Sequence, residues 1–287
     1  MKKILIILCL LAFSVQADDL SSMCSTANAK KSLSGNLLSL SGINFLSRNF
    51  VENEIKKAIK KETNSTPKVK VESFYGTNFF NGEFKNLSGT SKNITYKGFY
   101  FSDLEFNSVC DYNKITYKNN ALSFDTNFLL KYKTTITQND LNKYIATTNY
   151  AKTIEKLNND KNISSLFKID GGKIQIKQDK LVFKYKVIPF PKTDLGMFSN
   201  FIKPVDIAFS GGIRVEDDKI KLCDIDFNSF KFAYDAFLPF INMTNPTKFD
   251  IKVDKNNNGT LKVQNAIIEN EKIVLDGYVF VNQNPIN

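Results

Sequence analysis

The sequence predicts an α+β fold, mainly β, in which a long curved antiparallel sheet wraps around an N-terminal amphipathic helix. Three patterns carry this prediction. Apolar residues recur at helical spacing from Ile43 to about Thr63, alternate with polar ones over much of the remaining chain, and short Asp-, Asn- or Gly-bearing turns separate the alternating runs.

The chain opens with Lys2 and Lys3, an apolar run over residues 4–13, and Ser14-Val15-Gln16-Ala17, which places small side chains where a signal peptidase reads. Residues 1–17 therefore read as a secretory signal peptide. The apolar run is too short to cross roughly 30 Å of hydrocarbon, and no later segment reaches the roughly twenty apolar residues a spanning helix needs. Cys9 lies in the middle of the run rather than at its end, which argues against lipidation. The expected location is outside the cytoplasm, in the periplasm or cell envelope of a bacterium.

Residues 18–42 show no period and form an N-terminal lead segment; residues 43–287 are expected to be one β-rich domain. In the predicted helix, Ile43, Leu46, Phe50, Ile55, Ala58 and Ile59 share one face, with Arg48, Glu52, Asn53, Lys56, Lys57 and Lys60 opposite. Acids precede lysines along it, an order that suits the helix dipole. Residues 61–67 are a linker, after which Val69 and Val71 begin a two-residue period.

The clearest alternation covers residues 122–136, with Leu122, Phe124, Phe128, Leu130, Tyr132 and Ile136 on one face. Unbroken, it predicts a strand of about 50 Å, far longer than usual. Thr137-Gln138-Asn139-Asp140 then reads as a helix N-cap with an acid three positions on. Leu141, Tyr144 and Ile145 follow on one helical face; the phase slips near Thr148, so Tyr150, Ile154 and Leu157 belong to a second helical piece that ends at residues 158–160.

Four turn-like segments resemble one another: 111–115, 216–220, 269–273 and, more loosely, Gly171-Gly172-Lys173-Ile174. Each reads as a hairpin tip, which predicts a meander of paired neighbours. Residues 234–241 read as a short helix, and 249–254 as a strand paired with the last alternating run across an Asn-Gly loop.

The absence of histidine removes Ser-His-Asp and Cys-His machinery, the commonest general base and most zinc sites. Asp217-Asp218 and Asp224/Asp226 lie in or beside a predicted hairpin tip, where acids serve turns and solvation. Residues 254–259 begin like a calcium loop but lack the closing glutamate. The expectation is a protein that binds rather than catalyses, with no cofactor and no metal. Removing residues 1–17 takes two lysines and no acid, leaving 37 basic against 29 acidic residues and a net charge of +8. That excess suits an anionic membrane surface or an acidic ligand. The usage of an AT-rich genome, with Lys, Asn, Ile and Phe abundant and Trp and His absent, accounts for it better, because the lysines are spread along the chain and not clustered like a nucleic-acid footprint. Three cysteines remain, Cys24, Cys110 and Cys223; Cys110 and Cys223, each beside an aspartate in a strand-like context, are the pair considered for a disulfide, alongside three buried thiols.

Phenylalanine accounts for 25 of the 287 residues, and many stand in alternating contexts. Most will be core. If long curved strands and a helix leave their concave side unfilled, the wall of the resulting apolar groove comprises Phe99/Phe101, Leu104/Phe106, Leu122/Phe124/Phe128/Leu130, Leu181/Phe183/Tyr185 and Ile207/Phe209.

The order helix, linker, Val69-Lys70-Val71, then Phe79-Phe80-Asn81-Gly82-Glu83-Phe84-Lys85-Asn86-Leu87, Phe101-Ser102-Asp103-Leu104-Glu105-Phe106, the long alternation, Thr137-Gln138-Asn139-Asp140-Leu141-Asn142 and Phe237-Leu238-Pro239-Phe240 resembles the LmeA-like phospholipid-binding proteins. The likeness covers most of the chain after residue 17 and rests on apolar spacing. It implies a tubular lipid-binding-like fold and phospholipid or other acyl-chain lipid as partner, with transfer or envelope maintenance as the task. The high Lys and Asn content departs from that family. The rival expectation is a β-rich periplasmic scaffold or protein-interaction domain with a filled core.

Overall fold

The computed structural model describes residue 24 and residues 43–74, 82–96, 98–118, 121–165, 167–189, 203–216, 219–227 and 259–281. Over these the fold is α+β and mainly β, with a large antiparallel sheet, a smaller one and a few helices. The predicted strand at 249–254, the helix at 234–241 and the calcium-like turn short of Gly259 lie outside the described residues.

Helix α1 spans Ile43–Thr63, as its period predicts, with Lys60 and Lys61 in its last turn facing the negative end of the dipole. Asn64 stops it: its φ of 53° is left-handed, and its backbone N–H bonds the Lys60 carbonyl at 3.0 Å. The Thr63 hydroxyl meets the Ile59 carbonyl at 2.6 Å, and a chain of hydroxyls runs from Thr63 through Ser65 (3.0 Å) to Ser91 (2.7 Å) on the sheet. These buried contacts fix where the helix ends relative to the strands.

Eight strands form the large sheet: β1 (Lys68–Ser73), β2 (Glu83–Tyr96), β3 (Phe99–Ser108), β4 (Asn113–Lys118), β5 (Ala121–Phe124), β6 (Phe128–Thr137), and, after an excursion, β11 (Gly259–Glu269) and β12 (Lys272–Val281). Their order is β11-β12-β6-β3-β2-β4-β5, with β1 paired to β2. The inner face carries Val69, Leu87, Leu104, Phe106, Phe128, Leu130 and Tyr132, which bury Ile55 and Ile59 of α1. Phe106 lies over Gly89, its cross-strand partner: a Cβ there would come within 2.4 Å of the ring.

The excursion begins with helices α2 (Gln138–Ile145), α3 (Thr148–Asn159) and α4 (Lys161–Ser164). Thr137 caps α2 with a full capping box: its hydroxyl accepts from the Asp140 N–H, and the Asp140 carboxylate accepts from the Thr137 N–H at 2.9 Å. The phase slip near Thr148 is the junction between α2 and α3. A four-stranded sheet follows, order β10-β9-β8-β7, made of β7 (Phe167–Lys177), β8 (Lys180–Pro189), β9 (Val205–Glu216) and β10 (Lys219–Phe227). Its apolar face packs with α2, α3 and the inner residues of β11 and β12 in a second core.

Four sequence expectations are corrected. The alternation over 122–136 is two strands, β5 and β6, because Asp125 and Thr126 hold the end of β4: the Asp125 N–H donates to the Lys114 carbonyl at 2.9 Å, and the Thr126 hydroxyl accepts from the Lys114 N–H at 3.1 Å. Thr126 is itself buried, so the two-residue period runs through the break without a trace. The segment at 111–115 reverses nothing: β3 and β4 are successive partners of the same strand β2, and Asn113 spans the corner by donating to the Lys85 and Cys110 carbonyls. Gly171-Gly172 lies inside β7 at a register shift, and the turn is made by Gln178 and Asp179, between paired Lys177 and Lys180. Finally, the disulfide joins Cys110 to Cys24, with Cα atoms 5.4 Å apart, while Cys223 is a free thiol on β10 of the other sheet.

The hairpins at 216–219 and 269–272 do form, with Glu216 paired to Lys219 and Glu269 to Lys272. Asn270 and Glu271 both adopt positive φ, the backbone that a two-residue turn of this hand demands.

Candidate apolar site and an open groove

The thirteen residues expected to line a groove do not share one wall. Leu104, Phe106, Phe128 and Leu130 pack against α1 in the first core. Leu181, Phe183, Tyr185, Ile207 and Phe209 belong to the second. Leu181 is 0% exposed and Phe183 and Phe209 are 1%. Phe183 and Phe209 stack at 4.7 Å, and the Tyr185 hydroxyl bonds that of Tyr150 at 2.8 Å. Phe99 stacks on Tyr144 of α2 at 4.6 Å. Leu122 and Phe124 lie on β5, but their side chains are outside the described residues.

Phe101 differs from the rest. It is half-buried and touches both cores, as does Leu261 of β11. Around the second core stand further half-buried apolar side chains: Ile145 and Ile154 of the helices, Ile213 and Val215 of β9, Leu222 and Ile225 of β10. Ile213 faces Leu222 across the β9/β10 pair, so part of this rim is one continuous apolar patch. The sequence reading named Ile207 and Phe209 of β9 but not Ile213, Val215, Leu222 or Ile225. The alternation of Ile213 with Val215 and of Ile220 with Leu222 marks a face, but not how completely it is covered.

The second sheet is closed at its β7 edge by side-chain amides. Asn142 of α2 accepts from the Ile174 N–H at 3.0 Å and donates to its carbonyl at 2.7 Å. Asn158 of α3 does the same for Ile169, at 2.8 and 3.0 Å, and the Gln138 amide oxygen accepts from the Ile176 N–H at 3.0 Å. These amides stand where a further strand would pair, which blunts an otherwise sticky edge. In the large sheet, Glu52 of α1 accepts from the Val71 N–H of β1 at 2.9 Å.

A groove of about 530 Å³, more open than enclosed, crosses β1, β2, β3 and β6 and is lined by Lys68 to Lys70, Ser88 to Thr90, Glu105 to Asn107 and Lys131 to Lys133. Tyr132, whose phenol donates to the Lys262 carbonyl at 3.3 Å, has its pKa pushed well above the ordinary range by burial and by the nearby Asp276. Tyr112 is raised to about 12, chiefly by burial and then by its hydrogen bond to Glu83. Burial, with Asp224 beside it, also raises the Cys223 thiol, which disfavours the reactive thiolate. The Glu216 carboxyl is lowered by Lys221, with which it pairs, and then by Arg214.

Among the described residues no group of three or more His, Cys, Asp or Glu side chains is placed to hold a metal ion, and no helix is long and apolar enough to cross a membrane. Compared with known proteins, the chain matches no family model, no curated protein and no solved structure.

Proposed function

We propose that this is an exported, non-catalytic envelope protein that binds a phospholipid or another acyl-chain lipid, in the manner of the LmeA-like proteins its sequence resembles. The observation that carries the reading is the set of half-buried apolar side chains around the second core, Ile213, Val215, Leu222 and Ile225, together with Phe101 and Leu261, which touch both cores. Half-covered aliphatic and aromatic side chains, with Ile213 opposite Leu222 across β9 and β10, suit an acyl chain, which asks only for apolar contact. The Cys24–Cys110 disulfide supports an oxidising compartment, as the leader-like residues 1–17 do. Transfer of lipid between membranes, or upkeep of the envelope, would follow from such binding.

The competing reading, a scaffold with a filled core, is favoured by the complete burial of Phe128, Leu181, Phe183 and Phe209. One experiment separates the two. Native mass spectrometry of protein purified from its own envelope without detergent is expected to show near-stoichiometric phospholipid, and Ile213→Asp is expected to stay folded and lose it. A folded, lipid-free wild type that also refuses added fluorescent phospholipid would overturn the lipid reading in favour of the scaffold.

A further inference from the structure

We infer that the groove across β1, β2, β3 and β6 is the face by which the protein docks on an anionic lipid surface. Strand register places its side chains in two rows. Lys68 faces Thr90, Thr90 faces Glu105 and Glu105 faces Lys133; Lys70 faces Ser88, Ser88 faces Asn107 and Asn107 faces Lys131. The residues between the rows, Val69, Gly89, Phe106 and Tyr132, belong to the opposite face, where Val69, Phe106 and Tyr132 pack with α1. Both rows therefore lie on the sheet face turned away from the helix, and all eight side chains except half-buried Ser88 are exposed.

The groove holds four lysines against one glutamate. Among the described residues Lys68, Lys131 and Lys133 have no ion-pair partner, and Lys70 pairs only with Glu72 at 3.0 Å, an exposed bridge of little worth. Hydroxyls of Ser88 and Thr90 and the amide of Asn107 lie between the lysines and add neutral hydrogen-bonding groups that a phosphate ester can use. Three strand spacings separate the β1 lysines from those on β6, about 15 Å, and two residues separate the rows, about 7 Å. That footprint is too wide for a single phosphate and suits a surface presenting several. The choice of a lipid surface over another polyanion rests on the lipid-binding reading above; the charge pattern itself does not.

The test is co-sedimentation of the full mature chain with vesicles of phosphatidylcholine alone and of an equal phosphatidylcholine–phosphatidylglycerol mixture, with native mass spectrometry of bound lipid run in parallel. Wild type is expected to bind the anionic vesicles, to bind them less as salt is raised, and to ignore the neutral ones. Lys131→Gln with Lys133→Gln is expected to lower anionic-vesicle partitioning roughly 30-fold at low salt with an unchanged thermal melt. Lys68→Gln with Lys70→Gln, on a different strand, should do the same, guarding against a fold defect in either pair. Equal binding to both vesicle types, no binding, undiminished binding by both variants, or capture of soluble polyphosphate in place of vesicles would each overturn the proposal. Charge-dependent docking by protein that carries no lipid would uphold this face and strike instead at the lipid-binding reading.

Discussion

The two cores of this molecule are built from the same kinds of residue and are finished differently. The first is a sheet face covered by a helix: Ile55 and Ile59 of α1 join a cluster with residues of strands β1 to β4, β6 and β12, and among the described residues Val51, Phe101 and Leu261 are half-buried around it. The second is a small sheet packed on short helices and on residues of β11 and β12, and among the described residues eight half-buried apolar side chains rim it. On α1, Val51, Ile55 and Ile59 meet the sheet, while Phe50 stays exposed. Among the described residues, two short helices cover the interior of the small sheet, and Ile213, Val215, Leu222 and Ile225 of β9 and β10 stay half-buried. The place to look for a ligand is therefore where coverage fails, rather than where aromatic residues are densest.

The largest expected effect tests that contrast directly. Phe209, stacked on Phe183 and nearly inaccessible, should lose about 3–5 kcal/mol of stability as Phe209→Ala. Ile213, four residues on along β9 but half-buried, should lose only about 1–2 kcal/mol as Ile213→Ala, since less of its side chain leaves water on folding. Urea unfolding of both variants measures the difference. Equal losses would mean that the rim is as tightly packed as the centre, and the distinction between the two regions would collapse.

What could be read in advance follows from how local each signal is. Helix α1, the two-piece helical segment and the turns at 216–219 and 269–272 were legible because a few adjacent residues determine them, as Thr137 and Asp140 determine the α2 cap. The break between β5 and β6 was not, because Thr126 keeps the alternation in phase while its hydroxyl binds a different strand. Nor was the Cys24 partner of Cys110, which lies 86 residues away in sequence. Apart from Leu122 and Phe124, whose side chains lie outside the described residues, the expected wall residues are buried or half-buried, but a two-residue period says only that a face is apolar. Whether it meets a helix, a second sheet or nothing depends on elements far away in the chain. Asn142 and Asn158 show the same limit on the polar side: on a helix they look like ordinary surface amides, yet they close the edge of β7.

That edge closure supplies an intermediate effect. The first core secures its β1 edge with one bond from Glu52, the second its β7 edge with several from amides. Asn142→Ala leaves the Ile174 N–H and carbonyl without partners and should cost about 1–3 kcal/mol. Hydrogen exchange is expected to quicken first at Ile174, then at Ile176, with β9 protected as before. Uniform quickening across all four strands would show the amide to be part of the global core instead of an edge device.

The smallest expected effect lies at the hinge between the two regions. Thr137 is the last residue of β6, in the first sheet, and the cap of α2, which packs on the second. Asp140 is buried and its carboxylate accepts from the Thr137 N–H, the Thr137 hydroxyl at 2.7 Å and the Ser102 hydroxyl at 2.5 Å, so strand β3, strand β6 and the helix start meet at one oxygen. Thr137→Ala removes one of those donors and the cap acceptor, and should cost about 1 kcal/mol. Thr137→Ser, which keeps the hydroxyl, should restore most of it. If the cap only starts a helix, the loss will appear as fraying of α2 alone. If it also sets the approach of the two cores, Thr137→Ala will change exchange rates at Phe101 and Leu261 as well, the two side chains that touch both, and Thr137→Ser will return them to the wild-type values.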